Sequence, residues 1–171
     1  MTLHANNPAV SKYMTLRFPS PYTLESAHEW INMNRTPPFL NWAICPVESS
    51  DTVIGGVGLK PGSDVQAHTA EVGFWIGEEF WGKGLMSEVL EGLTEWCFEK
   101  AEVNGRKLTR LYGGIFEGNL GSMRCFEKCG YAKEGVLKGA AEKGGVISDF
   151  HVFGLVKSDW EKQKYEGDSF Y

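Results

Sequence analysis

The sequence predicts an α/β fold built on a mixed sheet that contains at least one parallel pair of strands. Strand-like and helix-like patterns alternate after residue 70, and strands separated by a helix pair in parallel through a right-handed crossover. The chain has 171 residues, of which 42% are hydrophobic, which is enough for one domain with an apolar core. We therefore expect residues 1–171 to form a single domain, with a fraying tail from about residue 158 that carries little apolar pattern.

The first half of the chain predicts one helix and one hairpin. Thr23 is placed as the N-cap of a helix, and an apolar stripe at helical spacing follows it. The stripe consists of Leu24, Ala27, Trp30 and Ile31. Two short runs rich in β-branched and aromatic residues, "FLNWAICPV" and "TVIGGVGL", are separated by the polar turn "ESSD". These runs predict a hairpin of consecutive strands.

The second half predicts alternating strands and helices. Residues 70–76 alternate between two faces, as a half-buried strand does. A long helix to about Ala101 follows, and its buried stripe is expected at Leu85, Val89, Leu93 and Trp96. Residues 109–116 predict another strand, and "NLGSMRCFEKCG" predicts a short helix that is capped by Asn119 and ended by a glycine. Two further strands are expected at residues 131–137 and 146–156.

The composition and the charge argue against several classes of function. The formal net charge of −5 is untypical of a dedicated nucleic-acid binder. The first residues lack the basic start and apolar run of a secretory signal, and no apolar stretch reaches the roughly 20 residues of a membrane span. We therefore expect a cytoplasmic protein whose four cysteines are reduced thiols. Cys125 and Cys129 share a helix face, but no second pair of ligands follows, so no metal site is expected.

A glycine-bearing turn connects the strand at residues 70–76 to the long helix. Gly82 and Gly84 flank Lys83 there, so unpaired backbone N–H groups face outward at the positive end of a helix dipole. Such a turn can bind a phosphate or a pyrophosphate. It can equally be a tight turn that uses glycine only for its backbone freedom, because the P-loop and dinucleotide fingerprints are both incomplete. The local pattern alone leaves both interpretations open.

Two longer segments, "AEVGFWIGEEFWGKGLMSEVL" and "GNLGSMRCFEKCGYAKEGVL", together resemble the GNAT superfamily of acyl-CoA-dependent N-acetyltransferases, closest to its ribosomal-protein-alanine acetyltransferase branch. The resemblance covers residues from about 20 to 156. It implies the GNAT fold, whose central parallel strands splay apart to admit the pantetheine arm, and acetyl-CoA as the cosubstrate. The cofactor-binding positions that it implies are Phe74, Trp75, Ile76, Gly82, Lys83, Gly84, Leu85, Met86, Ser87, Asn119, Ser122 and Phe126.

The resemblance also implies how an acetyl group would reach an amine. A protonated amine must lose a proton before it attacks a thioester, and Glu71 matches a glutamate that serves as the base in several family members, often through water. A structural carboxylate is the alternative interpretation of Glu71. A backbone N–H near Gly73 or Phe74 would polarise the thioester carbonyl. Phe126 replaces the tyrosine that often protonates the leaving thiolate, and Gly114 occupies a position that carries a base in some relatives.

Several positions depart from the family pattern or have two interpretations. Trp81 stands where the family's turn has Gln or Arg, and Met86 stands where a small residue is usual. Asp149 and His151 alternate onto one face of the last strand and could bind the amine or relay its proton, with a solvated strand face as the alternative.

Family members normally begin with a strand that is missing here. Either that strand is absent, or the chain is shortened, or a partner chain covers the exposed edge, and an exposed edge favours a homodimer.

Three functions remain open at this point. The leading hypothesis is an N-acetyltransferase that moves acetyl from acetyl-CoA to a protein N-terminus or a small-molecule amine, by direct attack in a ternary complex. The second is a non-catalytic acyl-CoA-binding module of the same fold, which the replaced tyrosine favours. The third is a nucleotide-binding regulatory domain that uses the same turn for another phosphate. No nucleic acid, membrane or metal is expected as a partner, and the acceptor pocket is expected near residues 13–42 and 138–148.

Overall fold

The computed structural model describes residues 1–168, in which six α-helices and eight strands are formed. The helices are α1 (Thr2–Ala5), α2 (Pro8–Ser11), α3 (Leu24–Met33), α4 (Leu85–Glu99), α5 (Leu120–Lys128) and α6 (Lys157–Asp168). The strands are β1 (Asn41–Ile44), β2 (Gly55–Pro61), β3 (Thr69–Ile76), β4 (Glu102–Val103), β5 (Arg106–Lys107), β6 (Arg110–Phe116), β7 (Ala132–Lys143) and β8 (Val146–Val156). Two short 3₁₀ helices lie on either side of β3, at Asp64–Gln66 and Glu78–Phe80.

Six of the strands form a mixed sheet in the order β1-β2-β3-β6-β8-β7, and β4 and β5 form a separate hairpin. β3 and β6 are parallel, with Glu71 opposite Tyr112, whereas β1 and β2, β6 and β8, and β7 and β8 pair antiparallel. The predicted mixed α/β fold and the hairpin of β1 and β2 are therefore confirmed. Within residues 1–168 no strand precedes Asn41, as the sequence predicted. The splay of β3 and β6 stays a prediction.

The structure divides into two compact units. The first consists of residues 1–59 and 73–85, and the second consists of residues 60–72 and the chain from residue 86 onward. The single domain expected from the sequence stays a prediction. The first unit has a small core of Ala5, Tyr22 and Ala27, with Met1, Phe18 and Trp75 packed against it.

Helix α3 begins where the sequence predicts but buries fewer residues than expected. Thr23 Oγ1 accepts a hydrogen bond from the N–H of Ser26 at 3.2 Å, and the two residues form a capping box. Of the predicted apolar stripe only Ala27 is buried, whereas Leu24 is 68% exposed and Ile31 is also exposed. The predicted set of buried residues was therefore wrong, because the small core of the first unit contacts this helix at Ala27.

Helix α4 buries a stripe that is rotated from the predicted one. Its buried residues are Leu90, Thr94, Cys97 and Phe98, and none of the predicted Leu85, Val89, Leu93 and Trp96 is buried. The predicted stripe was therefore wrong. Its error has a physical reason, because Thr94 satisfies its hydroxyl inside the protein, with hydrogen bonds of 2.7 Å to the Leu90 carbonyl and to the Tyr131 hydroxyl. A polar residue whose hydrogen bonds are satisfied inside the protein can occupy a core position.

Strands β7 and β8 form a longer hairpin than the sequence predicts. β7 does not end at residue 137 but continues to Lys143, with a register shift after Leu137. Gly144 and Gly145 close the hairpin with φ of 59° and 77°, the positive values that a tight two-residue turn requires. The irregular register interrupts the two-residue alternation, which explains why the sequence pattern predicted a loop here.

Helix α6 was not predicted, because its segment carries few apolar residues. The ring of Trp160 contacts Phe98, with centroids 5.6 Å apart. Lys164 Nζ lies 2.8 Å from Glu95 Oε1. The same nitrogen lies 3.0 Å from Glu99 Oε1. One aromatic contact and two ion pairs thus attach this helix to α4, where the sequence suggested a fraying tail. Residues 169–171 of that tail lie outside the described residues.

An ion pair joins β6 and β7 across the strand that separates them. Arg110 Nη1 of β6 lies 2.6 Å from Glu134 Oε1 of β7, and the second nitrogen binds the second oxygen at 2.5 Å. Gly154 of β8 lies beneath this pair, and a methyl group in place of its hydrogen would overlap the Glu134 carboxylate. The missing side chain at Gly154 therefore makes room for a bidentate pair.

Candidate active site

The glycine turn lies at the start of α4, as the sequence predicts. Gly82 and Gly84 have φ of +71° and +80°, in the left-handed region that glycine adopts without a steric penalty. Both residues are exposed, and a methyl group on either would meet no atom within 4 Å. The first backbone N–H groups of a helix have no partner within it. The turn is therefore open to a ligand and carries donors that suit an anion.

Two side chains of the turn have contacts of their own. Trp81 Nε1 donates a hydrogen bond to the Ile76 carbonyl at 2.8 Å, which ties the turn to the end of β3. Lys83 Nζ lies 5.5 Å from the centroid of the Phe80 ring, a favourable distance for a cation near an aromatic face. Trp81, which departs from the family pattern, thus has a structural role in this chain.

The first turn of α4 carries the predicted positions Leu85, Met86 and Ser87, all half-buried. The Ser87 hydroxyl donates to Cys125 Sγ at 3.7 Å, and the Ser87 carbonyl accepts from Cys129 Sγ at 3.4 Å. Because the Ser87 hydroxyl already binds a sulfur, its backbone N–H is the better group for the predicted phosphate contact.

The end of β3 supplies the three residues predicted to bind pantetheine. Phe74 and Trp75 are half-buried, and Ile76 is buried. The Trp75 ring contacts Phe18, with centroids 5.7 Å apart. The Ile76 carbonyl accepts from the Trp81 indole, so one of its two lone pairs is already used. The backbone role of these residues toward a cofactor stays a prediction.

Glu71, the predicted base, lies on β3 with its side chain 27% exposed. Its Oε2 lies 3.4 Å from Lys60 Nζ, and the Lys60 side chain is itself largely exposed. Exposed pairs of this kind are weak and screened by solvent. The carboxylate is therefore accessible enough to accept a proton, directly or through water.

Asn119 is the N-cap of α5, as predicted. Its Oδ1 accepts a hydrogen bond from the N–H of Ser122 at 3.2 Å, and both residues are half-buried. The cap occupies the amide oxygen and makes no use of the two N–H donors of the amide. The cap is confirmed, and the second role of Asn119 toward a cofactor stays a prediction.

Phe126, which the resemblance placed at the cofactor, lies in the core of the second unit. The residue is 2% exposed, and its ring centroid lies 5.0 Å from Tyr131 and 6.2 Å from Phe153. A methyl group on Gly113 would overlap its Cζ, so the tip of the ring points at the backbone of β6. These contacts support a packing role for Phe126.

Asp149 and His151 on β8 are both engaged by neighbouring residues. Asp149 binds Lys138 Nζ at 2.7 Å and the N–H of Gly139 at 3.0 Å, and these contacts lower the pKa of its carboxyl. His151 is 7% exposed, and its Nε2 lies 2.5 Å from Glu117 Oε2, a contact that lowers the pKa of Glu117. Because His151 is buried, the alternative of a solvated strand face was wrong for this residue.

Sequence reasoning missed the N-terminal residues that contact the segment before the glycine turn. His4 Nδ1 lies 3.0 Å from Glu79 Oε1, and Asn7 Nδ2 donates to Glu78 Oε2 at 2.8 Å. One signal was available, since asparagine followed by Pro8 is typical of a helix cap with proline at the first helical position. Asn7 is indeed the N-cap of α2.

Two further features concern possible partners. Among residues 1–168, no group of three or more His, Cys, Asp or Glu side chains is placed to hold a metal ion. No helix in the same part of the chain has the length and apolar character needed to cross a membrane. The expectations of a cytoplasmic location and of a reaction without metal stay predictions.

The mixed sheet, its parallel pair β3 and β6, and the glycine turn before α4 define the GNAT class of α/β proteins. Residues 1–132, most of the chain, match the family model described as an acetyltransferase (GNAT) domain. The chain belongs to the GNAT acetyltransferase family.

Relatives and solved structures agree with this family. The chain is 32% identical over 114 residues to "Probable N-acetyltransferase YjcK" of Bacillus subtilis (strain 168), a match that covers 67% of this chain and 60% of YjcK. The crystal structure of a ribosomal-protein-alanine N-acetyltransferase from Brucella melitensis has a TM-score of 0.70 at 21% identity, with 91% of each chain covered. That of a spermidine N-acetyltransferase from Vibrio cholerae, in complex with CoA and spermine, has a TM-score of 0.73 at 20% identity and covers 94% of this chain and 89% of that one. The two structures show the fold, and the family and the named relative support an acetyltransferase enzyme.

Proposed function

We propose that the protein transfers the acetyl group of acetyl-CoA to a primary amine, by direct attack in a ternary complex and without a metal. The observation that carries this proposal is the open glycine turn at the start of α4. Gly82 and Gly84 have left-handed φ and leave free space around the backbone, in a chain of the GNAT family. Backbone N–H groups at a helix start bind phosphate, so the turn is the proposed binding site of the pyrophosphate.

The remaining cofactor contacts belong to the same proposal. The backbone N–H groups from Gly82 to Ser87 bind the pyrophosphate, and Lys83 adds a positive charge. The backbone at residues 74–76 binds pantetheine in the manner of an added strand. Asn119 contributes the N–H donors of its amide, and Ser122 contributes a phosphate contact. Phe126 acts indirectly, through its packing on β6.

Glu71 is the proposed base. Amines with pKa values of about 8 to about 10.4 are mostly protonated at pH 7, so a proton must leave before the amine attacks. The Glu71 carboxylate is partly exposed, and its 3.4 Å contact with exposed Lys60 is weak. It can therefore take the proton through a water molecule. A backbone N–H near Gly73 is proposed to polarise the thioester carbonyl.

The leaving thiolate needs no acid from the protein in this proposal. A thiol has a pKa of about 8.5, so its thiolate is a tolerable leaving group that solvent water can protonate. Phe126 has no proton to give. This absence also favours the second candidate, a non-catalytic module that binds acyl-CoA without turnover.

The proposed acceptor is a protein N-terminus or a small-molecule amine. Two solved structures with the same fold are a ribosomal-protein-alanine acetyltransferase and a spermidine acetyltransferase, which makes both kinds of amine reasonable probes. The net charge of −5 favours a cationic acceptor over an anionic one. A cytoplasmic location and a homodimer are part of the proposal and rest on the sequence.

Calorimetric titration with acetyl-CoA tests the binding half of the proposal. We expect Gly84→Glu, which places a carboxylate and bulk in the turn, to weaken binding at least about 100-fold, or about 2.8 kcal/mol. Gly92→Glu is the matched control, because Gly92 lies on the same helix in open space and away from the turn. A folded wild-type chain that does not bind acetyl-CoA would refute the proposal.

A turnover assay tests the catalytic half, with a polyamine and a peptide bearing an N-terminal alanine as acceptors. We expect Glu71→Gln to lower kcat by about 100-fold or more while the Kd for acetyl-CoA stays within twofold of wild type. Unchanged turnover would remove Glu71 from the role of base. Tight binding of acetyl-CoA with no acetylation of any amine would favour the non-catalytic module, and displacement of acetyl-CoA by ATP would favour a nucleotide-binding domain.

A further inference from the structure

The N-terminal segment contacts the chain just before the glycine turn. His4 Nδ1 lies 3.0 Å from Glu79 Oε1, and the His4 ring meets the ring of Phe80 edge-on, with centroids 5.3 Å apart. Asn7 Nδ2 donates to Glu78 Oε2 at 2.8 Å. All of these residues belong to the first unit. Each of the two neighbouring carboxylates is therefore held by one N-terminal side chain.

Close packing fixes the position of His4. Its side chain is 10% exposed and lies against Gly77, where a methyl group would come within 3.0 Å of His4 Cβ. The ring atom that faces Glu79 is Nδ1, at 3.0 Å from its Oε1. The Glu79 side chain is itself mostly exposed, so its contact with the largely buried imidazole lies at the protein surface.

The orientation of Asn7 is also determined. Its Oδ1 accepts from the N–H of Ala9 at 2.8 Å as the cap of α2. The amide nitrogen consequently points to the other side, where it donates to Glu78. A single side chain thus starts α2 and binds a carboxylate of the segment that leads into the glycine turn.

These contacts matter because two negative charges directly precede a turn that is proposed to bind an anion. Charges repel over about 10 Å at 0.1 M salt, and Glu78 and Glu79 are three to four residues from Gly82 in the chain. A carboxylate without an anchor could also accept hydrogen bonds from the N–H groups of the turn, as carboxylates do at helix starts.

We propose that His4 and Asn7 are positioning residues for the acetyl-CoA turn. They hold the carboxylates of Glu79 and Glu78, so that neither carboxylate occupies the N–H groups that should receive the pyrophosphate. The inference rests on the proposed function of the turn. Loss of either residue weakens the affinity for acetyl-CoA and leaves the rate of acetyl transfer in the bound complex unchanged.

The test compares the calorimetric Kd for acetyl-CoA and the kcat of the full chain with those of two variants. His4→Leu is expected to raise Kd and KM about two- to fivefold, the usual scale of one charge near a helix start. Asn7→Ser keeps a capping oxygen and removes the donor to Glu78, with an expected rise of about twofold. In both variants kcat should stay within twofold of wild type.

A second substitution separates charge from packing. Glu79→Gln added to His4→Leu should return Kd close to the wild-type value, because the unanchored charge is gone, and salt should narrow the gap between His4→Leu and wild type. If His4→Leu acted by a loss of packing, neither Glu79→Gln nor added salt would restore Kd. His68→Leu, a change at an exposed histidine of the second unit, should leave Kd unchanged.

The outcomes distinguish the proposed function of the turn from the positioning role of His4 and Asn7. A wild-type chain that fails to bind acetyl-CoA defeats the proposed function. If the wild type binds, and His4→Leu binds equally well or is not rescued by Glu79→Gln, the positioning role alone is overturned. If His4→Leu does not fold, Asn7→Ser decides, and an unchanged Kd in that variant overturns the inference.

Discussion

The glycines of the turn and the glycines of β6 serve opposite purposes. Gly82 and Gly84 are exposed, have left-handed φ, and would meet no atom if they carried a methyl group. Gly113 is buried, has no left-handed φ, and lies against the ring of Phe126. The turn needs glycine for its backbone conformation and for access, whereas the strand needs it for space.

Gly114 extends the contrast to the other face of β6. A methyl group there would overlap the ring of Phe150, so this glycine pair has one aromatic ring against each face of the strand. The two sites look alike as short glycine strings in the sequence. They differ in what a substitution should damage, which is binding in the turn and stability in the strand.

The largest effect is expected at Gly113. Gly113→Ala forces the added methyl into the Phe126 ring, and overpacking in a dense core costs about 2 to 3 kcal/mol. Gly135→Ala on β7 is the control, because a methyl group there meets no atom within 4 Å, and its effect should stay within about 0.5 kcal/mol. Urea unfolding of both variants measures the difference. Equal stabilities of the two variants would show that β6 does not need glycine for space. The contrast between this strand and the turn would then be lost.

Phe126→Tyr tests the same contact by changing the ring in place of the glycine. The added hydroxyl lies on Cζ, the atom that points at Gly113, so we expect a loss of about 2 kcal/mol and no gain in kcat. Thermal unfolding and the acetylation assay give the two readouts. An unchanged Tm together with a faster reaction would contradict this account, since the pocket would then accept the tyrosine that is usual in the family.

Gly84→Ala and Gly92→Ala should change stability in opposite directions. Gly84 has φ of +80°, where an alanine costs about 1 to 2 kcal/mol. Gly92 lies in the middle of α4 with free space around it, where an alanine gains about 0.5 to 1 kcal/mol. Chemical denaturation of both variants measures the sign. A Gly84→Ala chain that is as stable as wild type would show that the turn does not need its left-handed residue.

The smallest effect concerns a third kind of glycine, whose N–H binds a titrating carboxylate. Gly139 has φ of +59°, and its N–H donates to the Asp149 carboxylate, which also binds Lys138. These contacts lower the pKa of Asp149. Its stabilising contribution is therefore present above the ordinary pKa of about 3.9 and is lost as the pH falls through the lowered value.

Thermal melts between about pH 6 and about pH 2 measure this term, because the carboxylate titrates within that range. The Tm of the wild type should fall more steeply in acid than that of Asp149→Asn, which has no carboxylate to protonate at this position. Parallel pH profiles of the two chains would show that the carboxylate does not stabilise the hairpin at Gly139.

The order of strands and helices could be predicted from the sequence, because two periodicities are clear in it. Residues 70–76 alternate, and the following segment repeats at helical spacing. The caps Thr23 and Asn119 were predictable for the same local reason, since a capping side chain bonds within its own turn. Local hydrogen bonds leave a local signal.

The features that sequence reasoning missed depend on contacts between distant residues. The buried position of Thr94 requires Tyr131, and the anchoring of Glu79 requires His4. The role assigned to Phe126 came from the family pattern, and its burial against β6 appears only in three dimensions. No periodicity in the sequence reports such pairs.

The small residue at Gly154 has a consequence for how this chain can evolve. Arg110 and Glu134 meet above it, in the space that a larger residue would fill. A side chain at this position on β8 would displace the ends of Arg110 and Glu134 and disturb the ion pair between them. We expect the three positions to co-vary among homologues, so that sequences with a bulky residue here have lost the arginine, the glutamate or both.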